Sequence, residues 1–381
     1  MMALVGVVFA GVCLAWVRAL WGVAVPQAAL LLLAAHWLLG KIRRCERIFT
    51  PPLAIVAALA AWPWIQLAAG VSVHPWQTRW AALGWLANAC AFAMAADLAR
   101  SAANLDRLLR ITLVIGAAIA ILGTVQLFTS PGDVFWLFPS GYPDLVIGPF
   151  VYKNQYAAFV ELLLPLAVAT AWKYPSVRLP CGLVSGFLVA SVLASGSRAG
   201  TALVIGELLA LGAIGVYRRT LPVRSALLFA AAVATFAAAL GPETLLRRLR
   251  DPEPLAVRAE LHRASIDMIR DRPLTGFGAG TWPSVYPKFA HSDDGLYANR
   301  AHSDWLEWAV EGGLPFAGML ALLALRLAAP AVRSVWGLGV LAFWLHAIID
   351  YPTGRPAIAV LFFFFLGLLA SRRPGVIEGG S

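Results

Sequence analysis

Charged residues are scarce in this chain, because only 13% of its 381 residues are Asp, Glu, Lys or Arg, whereas 60% are hydrophobic. Soluble domains typically carry roughly 25% charged residues, so the composition excludes an ordinary soluble enzyme. The short alternating segments of a membrane barrel are also missing. Long apolar runs recur instead, and each is near the ~20 residues that a helix needs to cross a membrane.

Three further absences narrow the class of protein. No cysteine lies in the large polar loop, so no disulfide framework is predicted. No basic stretch is interleaved with aromatic residues, so the net charge of +10 does not predict nucleic-acid binding. The N-terminus lacks a basic segment and a small-residue cleavage site, so we expect the first apolar run to be retained.

We predict an all-α, polytopic membrane bundle of about twelve helices, since lipid cannot satisfy an exposed backbone. The bundle forms a single membrane domain over residues 1–381, with a large periplasmic loop at 242–303 inserted between the ninth and tenth spans. The predicted spans are 3–21, 23–40, 52–70, 80–96, 111–129, 155–172, 180–195, 201–217, 225–241, 304–325, 335–350 and 357–370.

The basic residues of the short loops predict the orientation. With the N-terminus inside, cytoplasmic segments hold sixteen basic residues and the short outside loops hold four. Cytoplasmic loops of membrane proteins carry this excess of Lys and Arg. We therefore expect both termini in the cytoplasm, with the 130–154 loop, the 195–200 turn and the 242–303 loop outside.

The large loop has recognisable parts. Residues 254–270 carry an apolar stripe at helical spacing and end before a proline, which predicts a helix on the membrane surface. A glycine-rich turn follows at 273–280. Asp304, with Glu307 three residues later, resembles an N-cap with its reciprocal partner. His302 is then expected just ahead of a helix N-terminus.

The outside face gathers five basic side chains that suit an anionic, lipid-linked substrate. Arginines bind phosphate oxygens bidentately and keep their charge, and a helix N-terminus favours a neutral histidine that can accept a proton. His302 is therefore a candidate general base. Each residue also has a structural interpretation, since loop arginines are usually solvated and Arg198 can serve as an interfacial anchor. The five residues are Arg198, Arg258, Arg300, His262 and His302.

Two acids lie inside predicted spans. Glu161 and Glu207 are proton-relay or ion-site candidates because carboxylates are costly in lipid. Their alternative is a structural contact with a bundle arginine or a backbone donor. Asp350, at the outer end of a span, can simply cap it, and no partner for His346 is identified from the sequence.

Four stretches, in order, resemble the O-antigen ligase and polymerase superfamily of membrane glycosyltransferases. They are residues 148–157, the turn 195–200, the segment from Arg258 through 273–280, and residues 302–306 with the downstream Gly313. The likeness covers residues 140–320. Two positions depart from the family pattern, because His262 replaces an aromatic residue and Phe316 replaces a glycine.

The resemblance implies a donor glycan on undecaprenyl diphosphate and an acceptor such as lipid A-core, in lipopolysaccharide or polysaccharide biosynthesis at the bacterial inner membrane. It implies His302 as base and Arg198 and Arg258 as diphosphate ligands; Arg300 is added for its closeness to His302. Secondary candidates are His262, Lys153, Asn154, Glu161 and Glu207. We expect membrane lipids as partners and no nucleic acid. The chain has no Asp-x-Asp pair, so we expect no metal and no cofactor.

Alternatives remain open at this stage. Within the same superfamily, the chain could be an O-antigen or exopolysaccharide polymerase, or a protein O-glycan ligase, and only the acceptor separates these. From another class, it could be a transporter or flippase for lipid-linked glycans, in which Glu161 and Glu207 would matter more than His302. A non-catalytic scaffold is a further alternative.

Overall fold

A computed structural model of the protein describes residues 1–46, 51–141, 146–219, 224, 253–292 and 297–371. Helix makes up 78% of the structure, so the predicted all-α class is confirmed. The helices are α1 (Met2–Cys13), α2 (Trp21–Arg43), α3 (Pro51–Ala68), α4 (Pro75–Leu98), α5 (Ala102–Thr129), α6 (Lys153–Lys173), α7 (Arg178–Ser195), α8 (Arg198–Tyr217), α9 (Glu253–Asp271), α10 (Trp282–Val285), α11 (Asp304–Arg333), α12 (Leu338–Ile349) and α13 (Pro356–Ala370). A short hairpin pairs β1 (Asp133–Val134) with β2 (Phe138–Pro139).

Eight of the described helices are long and apolar enough to cross a membrane. Three shorter apolar helices, α1, α12 and α13, accompany them. The polytopic membrane class is therefore confirmed. Eleven of the twelve predicted spans overlap a described helix, and the predicted ninth span, 225–241, lies outside the described residues.

The first predicted span differs from the structure. A helix over 3–21 was expected, but α1 ends at Cys13 and α2 begins at Trp21. The connecting residues are held by the β hairpin and its flank, because Trp16 stacks on Phe138 at 5.4 Å and Arg18 donates to the Gly141 carbonyl at 2.7 Å. These contacts between distant segments end the helix early.

Helices α6 and α13 form the centre of the bundle. In α6, 78% of the most apolar 18-residue stretch is buried. Every residue of α13 from Ile358 to Leu369 is buried as well. Helix α12 approaches α6 closely at Gly339, where a Cβ atom would collide with the Glu161 carbonyl oxygen. This contact fixes α12 against α6 next to the residues considered below.

Helix α11 is broken at Gly313, whose backbone has φ 76° and ψ 173°. The glycine-rich segment 273–280 fills the break: Phe277 N donates to the Val310 carbonyl at 3.0 Å, and Leu314 N donates to the Pro273 carbonyl at 2.7 Å. A Cβ atom at Gly313 would lie 2.5 Å from the Leu274 carbonyl oxygen. The break therefore separates a short N-terminal half of α11 from its membrane-spanning part.

Helix α9 confirms the helix predicted over 254–270. Its apolar stripe, Leu261, Ala264 and Met268, is buried. The predicted N-cap of α11 was wrong by one residue: Ser303 caps the helix and accepts from Leu306 N at 3.4 Å. Asp304 cannot cap, because its backbone is already in the first turn.

The two ends of the bundle differ in character. At one end, here called the loop end, the starts of α6 and α8 and the end of α12 meet α9. At the other, here called the basic end, Lys41 pairs with Asp97 at 2.7 Å and Lys173 pairs with Asp106 at 2.9 Å. The candidate site lies at the loop end.

Candidate functional site at the loop end

The carboxylate of Asp350 is the centre of the site. Its side chain is fully buried directly after α12. Arg258 Nη2 donates to Asp350 Oδ2 at 3.0 Å, the Tyr152 hydroxyl donates to the same oxygen at 3.0 Å, and Asn154 Nδ2 is a third donor. Tyr351 N donates to Oδ1 at 2.8 Å. Donors from three separate parts of the chain thus converge on one anion.

Asn154 links this carboxylate to the Arg198 turn. Ser197 Oγ donates to Asn154 Oδ1 at 2.6 Å, and the same oxygen of Ser197 accepts from Gly200 N at 3.1 Å as the N-cap of α8. Arg198 is the next residue and is half-buried. No hydrogen bond or ion pair of its guanidinium is present within the described residues. The turn is therefore fixed at the site while its cation is available.

His302 faces the same carboxylate from the start of α11. Its Nδ1 lies 3.6 Å from Asp350 Oδ1, and 26% of its side chain is exposed. The ring stands edge-on to Tyr351, with centroids 4.9 Å apart. The backbone of His302 has φ 53°, a left-handed conformation that is uncommon outside glycine. Such strained residues cluster at functional sites.

Protonation at the site follows from these contacts. Burial by itself raises the pKa of Asp350, but the His302 imidazole and the Arg258 guanidinium together outweigh it and hold that pKa below its usual value. Asp350 is therefore an anion. Burial lowers the pKa of His262, and the Arg258 charge lowers it further, although the ring contacts the His302 carbonyl at 3.4 Å. His262 thus favours the neutral form.

Arg300 is close to His302 along the chain but is already paired. Its Nη1 donates to Glu307 Oε1 at 2.5 Å and its Nη2 donates to the Gly354 carbonyl at 3.2 Å. The other Glu307 oxygen accepts from Ala301 N at 3.1 Å. These bonds clamp the segment that carries His302 onto the first turns of α11.

The remaining sequence candidates fall into two places. Lys153 and Asn154 are the first residues of α6, so they belong to the loop end. Glu161 and Glu207 lie deeper in the bundle and do not contact Asp350. Glu161 pairs with His346, whose partner was not identified from the sequence: His346 Nδ1 and Glu161 Oε1 are 2.8 Å apart.

Sequence reasoning missed four contributors: Asp350, Tyr152, Tyr351 and Ser197. Asp350 was interpreted as a helix cap, yet its carboxylate is the centre of the site. The available signal was its position at a span boundary, where a buried carboxylate needs donors. The two tyrosines gave no such signal, because their stacking at 5.1 Å depends on residues far apart in the chain.

In the part of the chain that the structure describes, no cluster of three or more His, Cys, Asp and Glu side chains could hold a metal ion. The polar groups of the site are instead the two arginines Arg198 and Arg258, the imidazole of His302 and the organising carboxylate of Asp350. Arginine cations can hold a diphosphate, and an imidazole beside them can accept a proton from a hydroxyl.

Comparison with known proteins bears on this arrangement. No protein of curated function matches the chain. Residues 183–323 match the family model for O-Antigen ligase. This region contains Arg198, Arg258 and His302, whereas Asn154 and Asp350 lie outside it. The chain is thus a multi-pass membrane protein in which residues 183–323 are similar to the O-antigen ligase family, which confirms the resemblance seen in its sequence and supports a glycosyltransferase of the ligase or polymerase kind.

Proposed function

We propose that the chain is a membrane glycosyltransferase of the O-antigen ligase type. It transfers a glycan from undecaprenyl diphosphate to an acceptor hydroxyl, of lipid A-core or a similar molecule, without a metal ion. The observation that carries this proposal is the shared carboxylate: Asp350 pairs with Arg258 at 3.0 Å and faces His302 at 3.6 Å. A base and a phosphate-binding cation therefore lie side by side.

His302 acts as the general base. Because Asp350 faces Nδ1, the other ring nitrogen, Nε2, is left to accept the proton of the acceptor hydroxyl. Asp350 then stabilises the imidazolium, as an oriented carboxylate does for a catalytic histidine. The 3.6 Å distance suits a resting state, since catalytic hydrogen bonds often shorten when substrate binds. The exposed part of the ring returns the proton to water.

The arginines stabilise the leaving group. As the acceptor oxygen attacks the anomeric carbon, the bond from that carbon to the diphosphate oxygen breaks, and its electron pair stays on the diphosphate. Arg198 and Arg258 neutralise this growing charge. Arg300 is the third proposed ligand of the diphosphate. It contributes least to diphosphate binding, because it is already paired with Glu307. Asn154 and Lys153 complete the site from the start of α6, and His262 supports the His302 backbone.

We also propose that the chain has twelve spans, with both termini in the cytoplasm and the 242–303 loop in the periplasm of the bacterial inner membrane. The loop end, which holds the site, would then face the periplasm. The ion-paired lysines Lys41 and Lys173 at the basic end support this orientation, because cytoplasmic ends are rich in basic residues.

The test is transfer in vitro by the purified full chain in lipid nanodiscs, with a defined undecaprenyl-diphosphate-linked donor and a panel of acceptors. His302→Ala should lower the transfer rate by about 10²–10⁴-fold, the usual contribution of a general base. His291→Ala is the matched control, since His291 lies in the same loop but pairs with Glu260 and Asp267.

The acceptor panel separates the ligase from its relatives. Transfer to lipid A-core supports a ligase, transfer to a second lipid-linked unit supports a polymerase, and transfer to a protein supports a protein O-glycan ligase. Unchanged transfer by His302→Ala would refute the mechanism. If Glu161→Gln also abolished movement of lipid-linked glycan across vesicles, a transporter would be the better description.

A further inference from the structure

A second polar cluster lies inside the bundle, away from the proposed transfer site. It consists of Glu161 on α6, Glu207 on α8 and His346 on α12, and we call it the interior layer. Glu161 and His346 are 0% exposed and Glu207 is 5% exposed. Each residue belongs to an apolar helix that packs in the membrane-spanning bundle. Ionisable residues in such positions are rare and mark functional sites by default.

The interior layer is incompletely hydrogen-bonded. His346 Nδ1 and Glu161 Oε1 are 2.8 Å apart. Four other buried atoms have no hydrogen-bond partner among the described residues: Glu161 Oε2, both carboxyl oxygens of Glu207, and His346 Nε2. A single imidazole can neutralise one carboxylate, not two. The second acid, Glu207, therefore has no cation and no donor.

Among the residues that the structure describes, the charged groups around the interior layer offer no other partner for Glu207. The charged side chain with which it interacts electrostatically is Glu161, an acid. Helix α7, which packs on α6 and α8, has no charged residue between Arg178 and Ser195. The remaining groups that interact with His346 are Asp350 and Asp304, which are also acids. An ionised Glu207 would thus be surrounded by negative charge in a medium of low polarity.

We propose that Glu161, Glu207 and His346 form a proton-binding site inside the membrane bundle. His346 and Glu161 form an ion pair, and the Glu207 carboxyl carries an exchangeable proton taken from water. The site binds a proton and nothing else, so its charge is balanced without a metal ion. The O–H of Glu207 also becomes a donor for the unpaired oxygens of the layer.

The interior layer lies close to the loop end. Asp350 N donates to the His346 carbonyl at 2.9 Å, which places the two residues one turn apart on α12. One helical turn is about 5.4 Å, so His346 lies one turn from the Asp350 residue of the loop end. The site does not depend on glycan transfer and would exist in the resting protein.

The experiment is infrared difference spectroscopy on the full chain in lipid nanodiscs at neutral pH. The carbonyl stretch of a protonated carboxylic acid should be present in the wild-type spectrum and lost in Glu207→Gln. Other buried acids contribute to both spectra and cancel in the difference. Glu260→Gln is the control, because Glu260 belongs to a Glu–His pair with His291 outside the bundle at 3.1 Å, and it should leave the band unchanged.

Two further measurements test the assignment of roles. His346→Gln should add a second carboxylic-acid band of similar intensity, since Glu161 would lose its cation and take up a proton. Transfer to deuterated water should shift the Glu207 band, because a binding site must exchange its proton. If Glu207→Gln does not fold, Glu207→Asp should retain the acid band at a shifted frequency.

Three results would overturn the proposal: a wild-type spectrum identical to that of Glu207→Gln, a His346→Gln spectrum without the added band, or a Glu207 band that does not respond to deuterated water. None of these results bears on glycan transfer. A failure of the interior site is therefore distinguishable from a failure of the proposed transferase.

Discussion

Two polar layers are built from the same three helices, and they are satisfied in opposite ways. Asn154, Ser197 and Asp350, here called the boundary layer, come from the ends of α6, α8 and α12. In the interior layer, Glu161 and Glu207 lie in the middle of α6 and α8, and His346 lies in the last turn of α12. In the boundary layer, donors saturate one carboxylate. In the interior layer, four polar atoms lack a hydrogen-bond partner within the described part of the chain.

The difference shows how burial and donor supply decide the charge of a carboxyl group. Asp350 is as deeply buried as Glu161, yet a guanidinium and several neutral donors keep it ionised. Glu207 receives no donor from the residues that the structure describes. A saturated anion can hold an arginine and orient a histidine, whereas an unsatisfied acid can hold a proton. Mutations that remove the charge or the donors of each carboxyl group test this comparison.

The largest effect is expected from Asp350→Asn in the boundary layer. With its amide oxygen accepting from Arg258 and Asn154, the asparagine would turn its NH₂ group toward the Tyr351 N–H, which is itself a donor, and it could not stabilise a protonated His302. We expect kcat/KM for transfer to fall by about 10³-fold. Asp267→Asn is the control, since Asp267 pairs with Arg270 on the exposed face of α9 at 2.9 Å. A loss of less than threefold would contradict the role of Asp350.

In the interior layer the expected effect is on stability. His346→Gln removes the cation of a fully buried pair, and such losses destabilise proteins by about 3 kcal/mol. Glu207→Gln replaces a neutral acid with a neutral amide of the same shape, so its effect should stay below about 1 kcal/mol. Unfolding of the full chain in mixed detergent micelles measures both variants. Equal destabilisation would show that Glu207 takes part in the charged pair instead of carrying a proton.

A smaller effect, on the KM for the donor, should distinguish Arg258 from Arg300. Arg258→Lys should raise the KM for the donor by about 10- to 30-fold, because Lys cannot bind diphosphate and Asp350 in the same planar arrangement. Arg300→Lys should change it by less than about fivefold, since Arg300 is engaged by Glu307 at 2.5 Å. Titration of the donor in the transfer assay measures the two values. The reverse order would make Arg300 the main phosphate ligand.

The sequence predicted much of the bundle and the identity of the basic residues at the site. Apolar runs of membrane length predict helices without reference to tertiary structure, and eleven predicted spans overlap described helices. Where contacts between distant segments determine where a helix ends or breaks, the prediction from sequence failed. Trp16 and Arg18 end α1 through the hairpin, and the break of α11 at Gly313 depends on the 273–280 segment.

The anionic half of the site could not be predicted in the same way. Arg198, Arg258 and His302 belong to motifs with a known chemistry, so the sequence indicates them one by one. Asp350 and Tyr152 become part of the site only because α12 ends beside the start of α6. That meeting depends on the close approach at Gly339, and a glycine in an apolar run does not reveal its neighbour.

The smallest expected effect concerns His262, which contacts the His302 carbonyl and lies near the Arg258 charge. Its pKa is lowered in the folded protein, first by burial and then by the Arg258 charge. The folded state therefore binds fewer protons than the unfolded chain as the pH falls below about 6.5. This contribution to stability is present above that pH and is lost as the pH falls through the lowered value.

Between about pH 7.5 and pH 5, the melting temperature of His262→Gln should fall by about 1–2 °C less than that of the wild type. Asp350 does not contribute in this window, because its own lowered pKa places its loss of charge at more acidic pH. Parallel acid-induced shifts in the two proteins would show that His262 is not buried against the Arg258 charge in the folded state.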